Sequence, residues 1–347
     1  MASSNGNATP LIRAEGIWKI FGKNADKVLG TPDLELSRAE LREKTGCVAA
    51  VRDVSFDVYP GQVFVVMGLS GSGKSTLVRT LIRLIEPTAG RVEIDGGDVT
   101  AANRDELLQL RRHKVSMVFQ HFGLLAHRTV LDNVAFGLEV QGVAKAERHA
   151  RASEVLKLVG LEDAAGQFPD ELSGGMQQRV GLARAFAVDP KVMLYDEPFS
   201  ALDPLIRRDM QDEVIRLQHE TGKTMVFITH DLPEALRLGD QIAIMRDGRI
   251  VQLGTPEEVV GSPADEYVAN FTRDIARSHV LTLRSIMRPA VEGEALDGAR
   301  VPVTTTVRAI VPRLAQSERP VLATDGDRVV GVVDREAVLR AIAGEGD

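Results

Sequence analysis

Cysteine is nearly absent: one residue, Cys47, in a chain of 347. A lone thiol excludes an internal disulfide and suits a reducing compartment. Aromatic residues make up only 4%, with a single Trp. That is too few for the repeated exposed rings on which single-stranded nucleic acid stacks. Positive charge is not in excess either. The formal net charge is -7, so no general attraction to nucleic acid or anionic lipid is expected. No apolar run approaches the ~20 residues that span a bilayer, so any work at a membrane passes through a partner. The opening MASSNGNATP lacks the basic and apolar regions of a signal peptide, and residues 1–10 read as a flexible tail. Low-complexity tracts and internal repeats are not evident.

What is present is ordinary for a soluble protein with a sizeable core: 44% hydrophobic and 26% charged residues. The length allows two or three modest domains. Residues 11–22 read as a strand ending in a turn, followed by a polar excursion in which Ser37 and Glu40 form a capping box. Two strands flank the Pro60-Gly61 turn. Leu77, Leu81 and Leu84 then form an apolar stripe at helical spacing, which Pro87 stops. A short strand is expected at VSMVFQ, and further strands at KVMLY, TMVFIT, DQIAIM and RIVQL. Strands alternating with helices imply an α/β fold with a largely parallel sheet. Composition shifts near Arg273, and a boundary is placed between Thr272 and Val280. From Val301 the order reads strand, helix, strand, strand, helix. A hairpin is expected around Asp325-Gly326, and Asp334 is placed to cap the last helix.

The stretch GLSGSGKST, Gly68–Thr76, fits the phosphate-binding pattern Gly-x-x-x-x-Gly-Lys-Ser. Its glycines, Gly68, Gly71 and Gly73, let backbone N–H groups approach phosphate oxygens without an intervening Cβ. A helix starting at Lys74 adds its positive end. Lys74 can reach outer phosphates, and Ser75 can offer its hydroxyl oxygen to Mg²⁺. The strand VFVVM before the loop supplies the context the pattern requires. A second apolar strand ends in Asp196 and Glu197, which places both carboxylates at the carboxyl edge of the sheet. Asp196 suits Mg²⁺, and Glu197 suits orienting or deprotonating an attacking water. In LSGGMQQR, Ser173, Gly174 and Gly175 stand just before a helical run, where small residues leave N–H groups uncovered.

In this order the motifs resemble the ATPase subunit of an ABC transporter. The set comprises the Walker A loop at Gly68–Ser75, Gln120, the signature LSGGMQQR, Val192–Asp196 with Glu197, SALD ending at Asp203, and His230 in ITHD. The likeness covers residues 11–272, with a helical subdomain at about 121–172. It implies ATP and Mg²⁺ as cofactors, the loop residues Gly68, Ser70, Gly71, Gly73, Lys74, Ser75 and Thr76 on the phosphates, and Phe21 stacked on adenine, with Trp18 as its rival. It implies Ser75, Gln120 and Asp196 at Mg²⁺, with Glu197, His230 and Gln120 as the catalytic set. It also implies a head-to-tail dimer in which Ser173, Gly174, Gly175 and Gln177 reach the ATP of the partner copy, with Asp203 in the D-loop.

Within that family the chain resembles the ATPases of glycine betaine/proline importers. The stretches TGCVAAVRDVSFDV, QHFGLLAHRTVLDNVAFGLEVQGV and DEPFSALDPLIRRDMQDE carry the likeness, together with the polar insertion 23–47. The implied cargo is a compatible solute: betaine, proline, choline or a similar quaternary amine. Transmembrane permease subunits are implied as direct partners and a solute-binding protein as an indirect one. Nucleic acid is not implied, and the location is the cytoplasmic face of the cell membrane. Residues 281–347 resemble one cystathionine-β-synthase-type (CBS) module, regulatory or dimerising. The alternatives are an ATPase of another solute importer, a soluble ABC ATPase acting on nucleic acid or ribosomes, and a nucleotide-dependent regulator. The ATPase acting on nucleic acid or ribosomes is disfavoured by a single ATPase unit and a net negative charge.

Overall fold

The computed structural model describes residues 9–119, 123–200, 202–291, 297–317 and 319–343. The chain divides into two compact units: Met1–Glu234 with Met245–Ile250, and Ala235–Ile244 with Val251–Asp347.

The first unit contains two sheets. Its elements are β1 (Ile12–Phe21), α1 (Ala25–Val28), α2 (Arg38–Thr45), β2 (Val48–Val58), β3 (Val63–Met67), α3 (Lys74–Leu81), β4 (Ala89–Ile94), β5 (Gly97–Asp98), α4 (Arg104–Gln109), β6 (Val115–Val118), α5 (Val130–Val140), α6 (Lys145–Leu158), α7 (Gly174–Ala187), β7 (Val192–Asp196), α8 (Pro204–Thr221) and β8 (Thr224–Thr229). One sheet is antiparallel in the order β2-β1-β4-β5. In the other, β3, β8, β7 and β6 pair in that order, all parallel. Strands β3, β7 and β8 are buried at every position. A parallel sheet covered on both faces needs near-continuous apolar runs, and VFVVM, VMLY before Asp196 and MVFI between two threonines supply them.

The expected parallel sheet is therefore present, and the antiparallel one was not foreseen. Its strand β4, AGRVEI, is partly exposed and carries charge, so no apolar run marks it. Long-range pairing makes it, with Ile12 opposite Ile94. One expectation is corrected in α3. The helix ends at Leu81, Arg83 adopts a left-handed φ of 50°, and Leu84 is 49% exposed. The stripe stops before Pro87 because the backbone has already turned. Helices α5, α6 and α7 pack on one another.

Three elements, α9 (Leu232–Leu238), β9 (Gln241–Arg246) and β10 (Arg249–Gly254), run through the division between units. The second unit continues with α10 (Pro256–Gly261), α11 (Glu266–Thr272), α12 (Leu283–Ile286), β11 (Arg300–Pro302), α13 (Val307–Gln316), β12 (Val321–Asp325), β13 (Arg328–Val333) and α14 (Arg335–Ala343). Strand β11 runs parallel to β12, and β12 antiparallel to β13. A turn at Gly326, φ 59°, joins β12 to β13. Leu283, Val301, Val307, Ile310, Val321 and Val333 share one apolar core. Asp334 accepts from the Ala337 N–H at 2.9 Å and caps α14, as its position implies. Among the described residues no helix is long and apolar enough to cross a membrane.

Candidate active site

The strand order brings the chemistry to one edge. Met67 lies opposite Thr229, and Asp196 opposite Ile228. The residues just past these strands, Gly68, His230 and Glu197, therefore emerge side by side at the carboxyl ends, where ligands of such sheets bind. Strand β6 ends at the same edge at Val118. Gln120, two residues further on, lies outside the described residues.

Backbone close to neighbouring backbone shapes the Gly68–Thr76 loop. Gly73 has φ 109°, and a Cβ there would strike the Ala50 carbonyl oxygen. Gly68 has φ 149°, and a Cβ would strike the Met245 carbonyl. Only glycine satisfies both constraints. Lys74 is 4% exposed. Its Nζ donates to the Gly68 carbonyl at 2.8 Å and the Leu69 carbonyl at 3.2 Å, and lies 3.7 Å from Glu197 Oε1. Burial pulls the Lys74 ammonium below its usual range, opposed by Glu197 and Asp196. Ser72 Oγ is buried without a hydrogen-bond partner. Ser70 and Gly71 are exposed on the loop, and Ser75 and Thr76 are half-buried at the start of α3.

Asp196 is 5% exposed. It accepts from Ser75 Oγ at 2.8 Å through one oxygen and from Arg79 Nη2 at 3.0 Å through the other. A hydroxyl and a carboxylate in contact form a hard-oxygen pair that fits Mg²⁺. Among the described residues no group of three or more His, Cys, Asp or Glu could hold a metal. A cation here would draw its other ligands from phosphate and water, the habit of Mg²⁺ at nucleotide sites.

Glu197 sits at φ 48°, a left-handed conformation costly for a non-glycine residue. Surrounding bonds over-determine it. Its N–H donates to the Ile228 carbonyl at 3.1 Å, and its carbonyl accepts from Ser200 Oγ at 3.0 Å. The result aims the carboxylate back over the loop, with Oε2 3.1 Å from His230 Nδ1. A carboxylate held between a lysine and a histidine at the rim of a phosphate cradle can orient a nucleophilic water.

Residues 51–200 match the family of ABC transporters. The chain is 55% identical to the glycine betaine transport ATP-binding protein OpuAA of Bacillus subtilis, over 84% of this chain and 70% of that protein. It is 50% identical to the trimethylamine N-oxide transport system ATP-binding protein TmoW of Ruegeria pomeroyi, over 95% of this chain and 96% of that one. The chain belongs to the ABC transporter family. Among solved structures it resembles the dimeric post-hydrolysis state of the ATP-binding cassette MJ0796 bound to ADP and Pi. The TM-score is 0.59 at 32% identity, covering 71% of this chain and 98% of that one.

Other residues expected of an ABC ATPase stand as follows. Ser173 caps α7, accepting from the Met176 N–H at 3.4 Å, and is exposed together with Gly174. The helix begins at Gly174, so both glycines lie in its first turn rather than before it. Gly175 is buried, and a Cβ would come within 2.9 Å of Ile206. A side chain there would force Ile206 of α8 to shift. Gln177 is engaged within its own chain, donating to the Pro169 carbonyl at 2.8 Å. Asp203 occupies the N-cap position of α8 with Pro204 following, but its side chain makes no capping bond; the expected cap is positional only. Phe21 is 43% exposed at the end of β1 with Lys19 Nζ 4.9 Å from its ring. Trp18 packs on the apolar cluster of Ile20, Leu41 and Cys47. The accessible ring is Phe21.

Three residues of the site escaped the sequence reading. Arg79 falls four residues after Ser75, on one face of α3, and that spacing was its signal. Gln178 is buried and donates to the Pro198 carbonyl at 2.5 Å, tying α7 to the segment after Glu197. Glu234 is 5% exposed, and nothing in the sequence marks it as buried. Burial, reinforced by Asp231, pushes its carboxyl up to about 8 from 4.5, against hydrogen bonding from Thr229 and the charge of Arg207. Its Oε1 has no partner.

The native state thus keeps a proton that the unfolded chain releases between about pH 4.5 and about 8. Stability from this group is present below that window and is lost as pH rises through it. A Glu234→Gln variant escapes the loss. Its unfolding midpoint, relative to the parent, is expected to rise by about a few degrees between pH 5 and pH 8.5. A gap that does not change with pH would show that the carboxyl is charged throughout.

Proposed function

We propose that the chain is the ATP-hydrolysing subunit of an importer for a compatible solute, glycine betaine, proline, choline or a similar quaternary amine, working through permease subunits at the cytoplasmic face of the membrane. The observation that carries this is 55% identity over 84% of the chain to a glycine betaine transport ATP-binding protein. The glycine betaine/proline betaine protein ProV of Escherichia coli supports it at 50% identity over 81% of the chain. A second reading, trimethylamine N-oxide as cargo, is favoured by a match that spans nearly the full length of both chains. The two solutes share a methylated nitrogen, so one transport route could accept either.

In this reading Lys74 and the loop N–H groups hold the triphosphate, and Phe21 stacks on the adenine. Ser75 and Asp196 would hold Mg²⁺, which offsets phosphate charge when bound. Glu197 orients or deprotonates the attacking water, and His230 faces the terminal phosphate. Two copies close head to tail, so that exposed Ser173 and Gly174 of each complete the other's site. The dimeric cassette MJ0796 bound to ADP and Pi, which shares this fold, supports that arrangement. Fixed dipoles on both sides of the transferring phosphoryl group are the largest source of stabilisation in such chemistry. Residues 281–347 form a CBS-like module. Its βαββα order and separate apolar core support that assignment.

The test is uptake by vesicles carrying this chain with the permease subunits and solute-binding protein of its own source. Labelled glycine betaine, proline, choline and trimethylamine N-oxide are offered in turn. ATP-dependent accumulation of one or more is the expected result. Uptake of none, with ATPase activity intact, would overturn the solute class.

A further inference from the structure

The insertion between β1 and β2 is a folded element. Helix α2 carries a complete capping box: Ser37 Oγ accepts from the Glu40 N–H, and the Glu40 carboxylate accepts from the Ser37 N–H at 2.9 Å. Val28, Leu34 and Leu41 enter an apolar cluster with Ile20, Cys47 and Ala49. Two links lead from it to the phosphate loop. Buried Arg52 donates through Nη1 to the Leu34 and Leu36 carbonyls, both at 3.1 Å. The Arg52 N–H donates to the Gly248 carbonyl at 2.8 Å, and the Gly248 N–H to the Ser72 carbonyl at 2.9 Å. The second link is direct: Arg38 Nη1, in the first turn of α2, donates to the Gly71 carbonyl.

Gly71 is the third residue of a tight turn, Leu69–Ser72, closed by a 3.1 Å bond from the Ser72 N–H to the Leu69 carbonyl. Its φ of 80° is the value a type II turn demands of glycine there. In such a turn the peptide ahead of Gly71 and the one after it point opposite ways, so anchoring one carbonyl sets which N–H groups face the cradle. Arg38 supplies that anchor with a charged donor, the stronger kind of hydrogen bond. The surroundings favour an anion. Arg52 has Nε and Nη2 buried without partners, and Arg38 Nε is also buried without one. Burial pulls the Arg52 guanidinium below its ordinary range, and the like charge of Arg249 and Arg38 adds to this against the acidic Asp247 and Glu35.

We propose that Arg38 is a positioning residue for the nucleotide, locking the Gly71 peptide so that the phosphate loop is preformed, and that the first turn of α2 is thereby tied to the ATP site. This rests on the reading that Gly68–Thr76 holds the triphosphate. The effect is on binding: a loop that must order itself on contact binds less tightly, in proportion to the fraction already competent. The chemical step, carried at Glu197, is touched far less.

The experiment measures ATP binding, steady-state ATP hydrolysis and thermal unfolding of the full chain in four variants. Arg38→Ala is expected to raise KM for ATP about five- to tenfold, with a much smaller change in kcat and an unchanged unfolding midpoint. Arg38→Lys, which keeps a charged donor, should recover part of that loss. Lys44→Ala breaks the exposed 2.7 Å pair with Asp33 on the same insertion and should leave KM at the parent value. Lys74→Ala should abolish ATP binding. If Lys74→Ala binds ATP like the parent, the underlying reading of the loop fails. A parent-like KM in Arg38→Ala, or an equal KM shift in Lys44→Ala, beside a dead Lys74→Ala, would overturn the role of Arg38 alone.

Discussion

A Glu197→Gln variant is expected to bind ATP as the parent does, to lose turnover by about 10²- to 10⁴-fold, and to accumulate as an ATP-bound dimer. The range is that of removing a general base. The amide preserves shape and the contact with His230, 3.1 Å away in the parent. It removes only the negative charge that would draw a proton from water. Binding should survive because the groups proposed to hold phosphate, Lys74 and the loop N–H groups, are untouched. The dimer should accumulate because the step that separates the copies no longer occurs. Single-turnover hydrolysis and size-exclusion chromatography with ATP read the two outcomes. Parent-like turnover would remove Glu197 from the chemistry and leave its left-handed φ of 48° without a functional reason.

The second large effect comes from pairing two inactive chains. Ser173→Arg places a bulky side chain at the exposed cap of α7, where the proposed partner's phosphates would lie. It should leave ATP binding within its own chain intact and stop hydrolysis. Lys74→Ala should stop hydrolysis by losing the ATP. Each alone is dead, yet a mixed pair contains one complete site. That site joins the intact cradle of the Ser173→Arg chain to the intact signature of the Lys74→Ala chain. Random pairing makes roughly half the dimers mixed, each with one working site of two, so an equal mixture should regain about a quarter of parental activity. No regain on mixing would mean that each chain completes its reaction alone.

Much of the site was legible because its constraints are local. Gly68, Gly73, Lys74 and Ser75 lie within one loop, whose spacing follows from phosphate size and the absence of Cβ. The buried strands VFVVM, VMLYD and TMVFIT were readable from their near-continuous apolar runs. The cap at Ser37 and the order of elements after Val301 were equally local, and both are present.

Other features depend on residues far apart in the chain. Strand β4 exists because Ile94 pairs with Ile12, which its own charged composition does not announce. Glu234 is a carboxyl within an ordinary helix sequence, and only the packing around it removes water and retains its proton. Gly175 looks like a mere helix start until Ile206 is brought against it. Arg38 lies in a polar excursion 33 residues before the carbonyl it holds. The sequence by itself determined the family, the candidate phosphate-loop residues and the parallel sheet that carries them, because these are written in short spacings and apolar periods. Only the tertiary structure decided which distant groups stand beside them. Strand order and burial set proximity and dielectric, and neither can be computed from one segment alone.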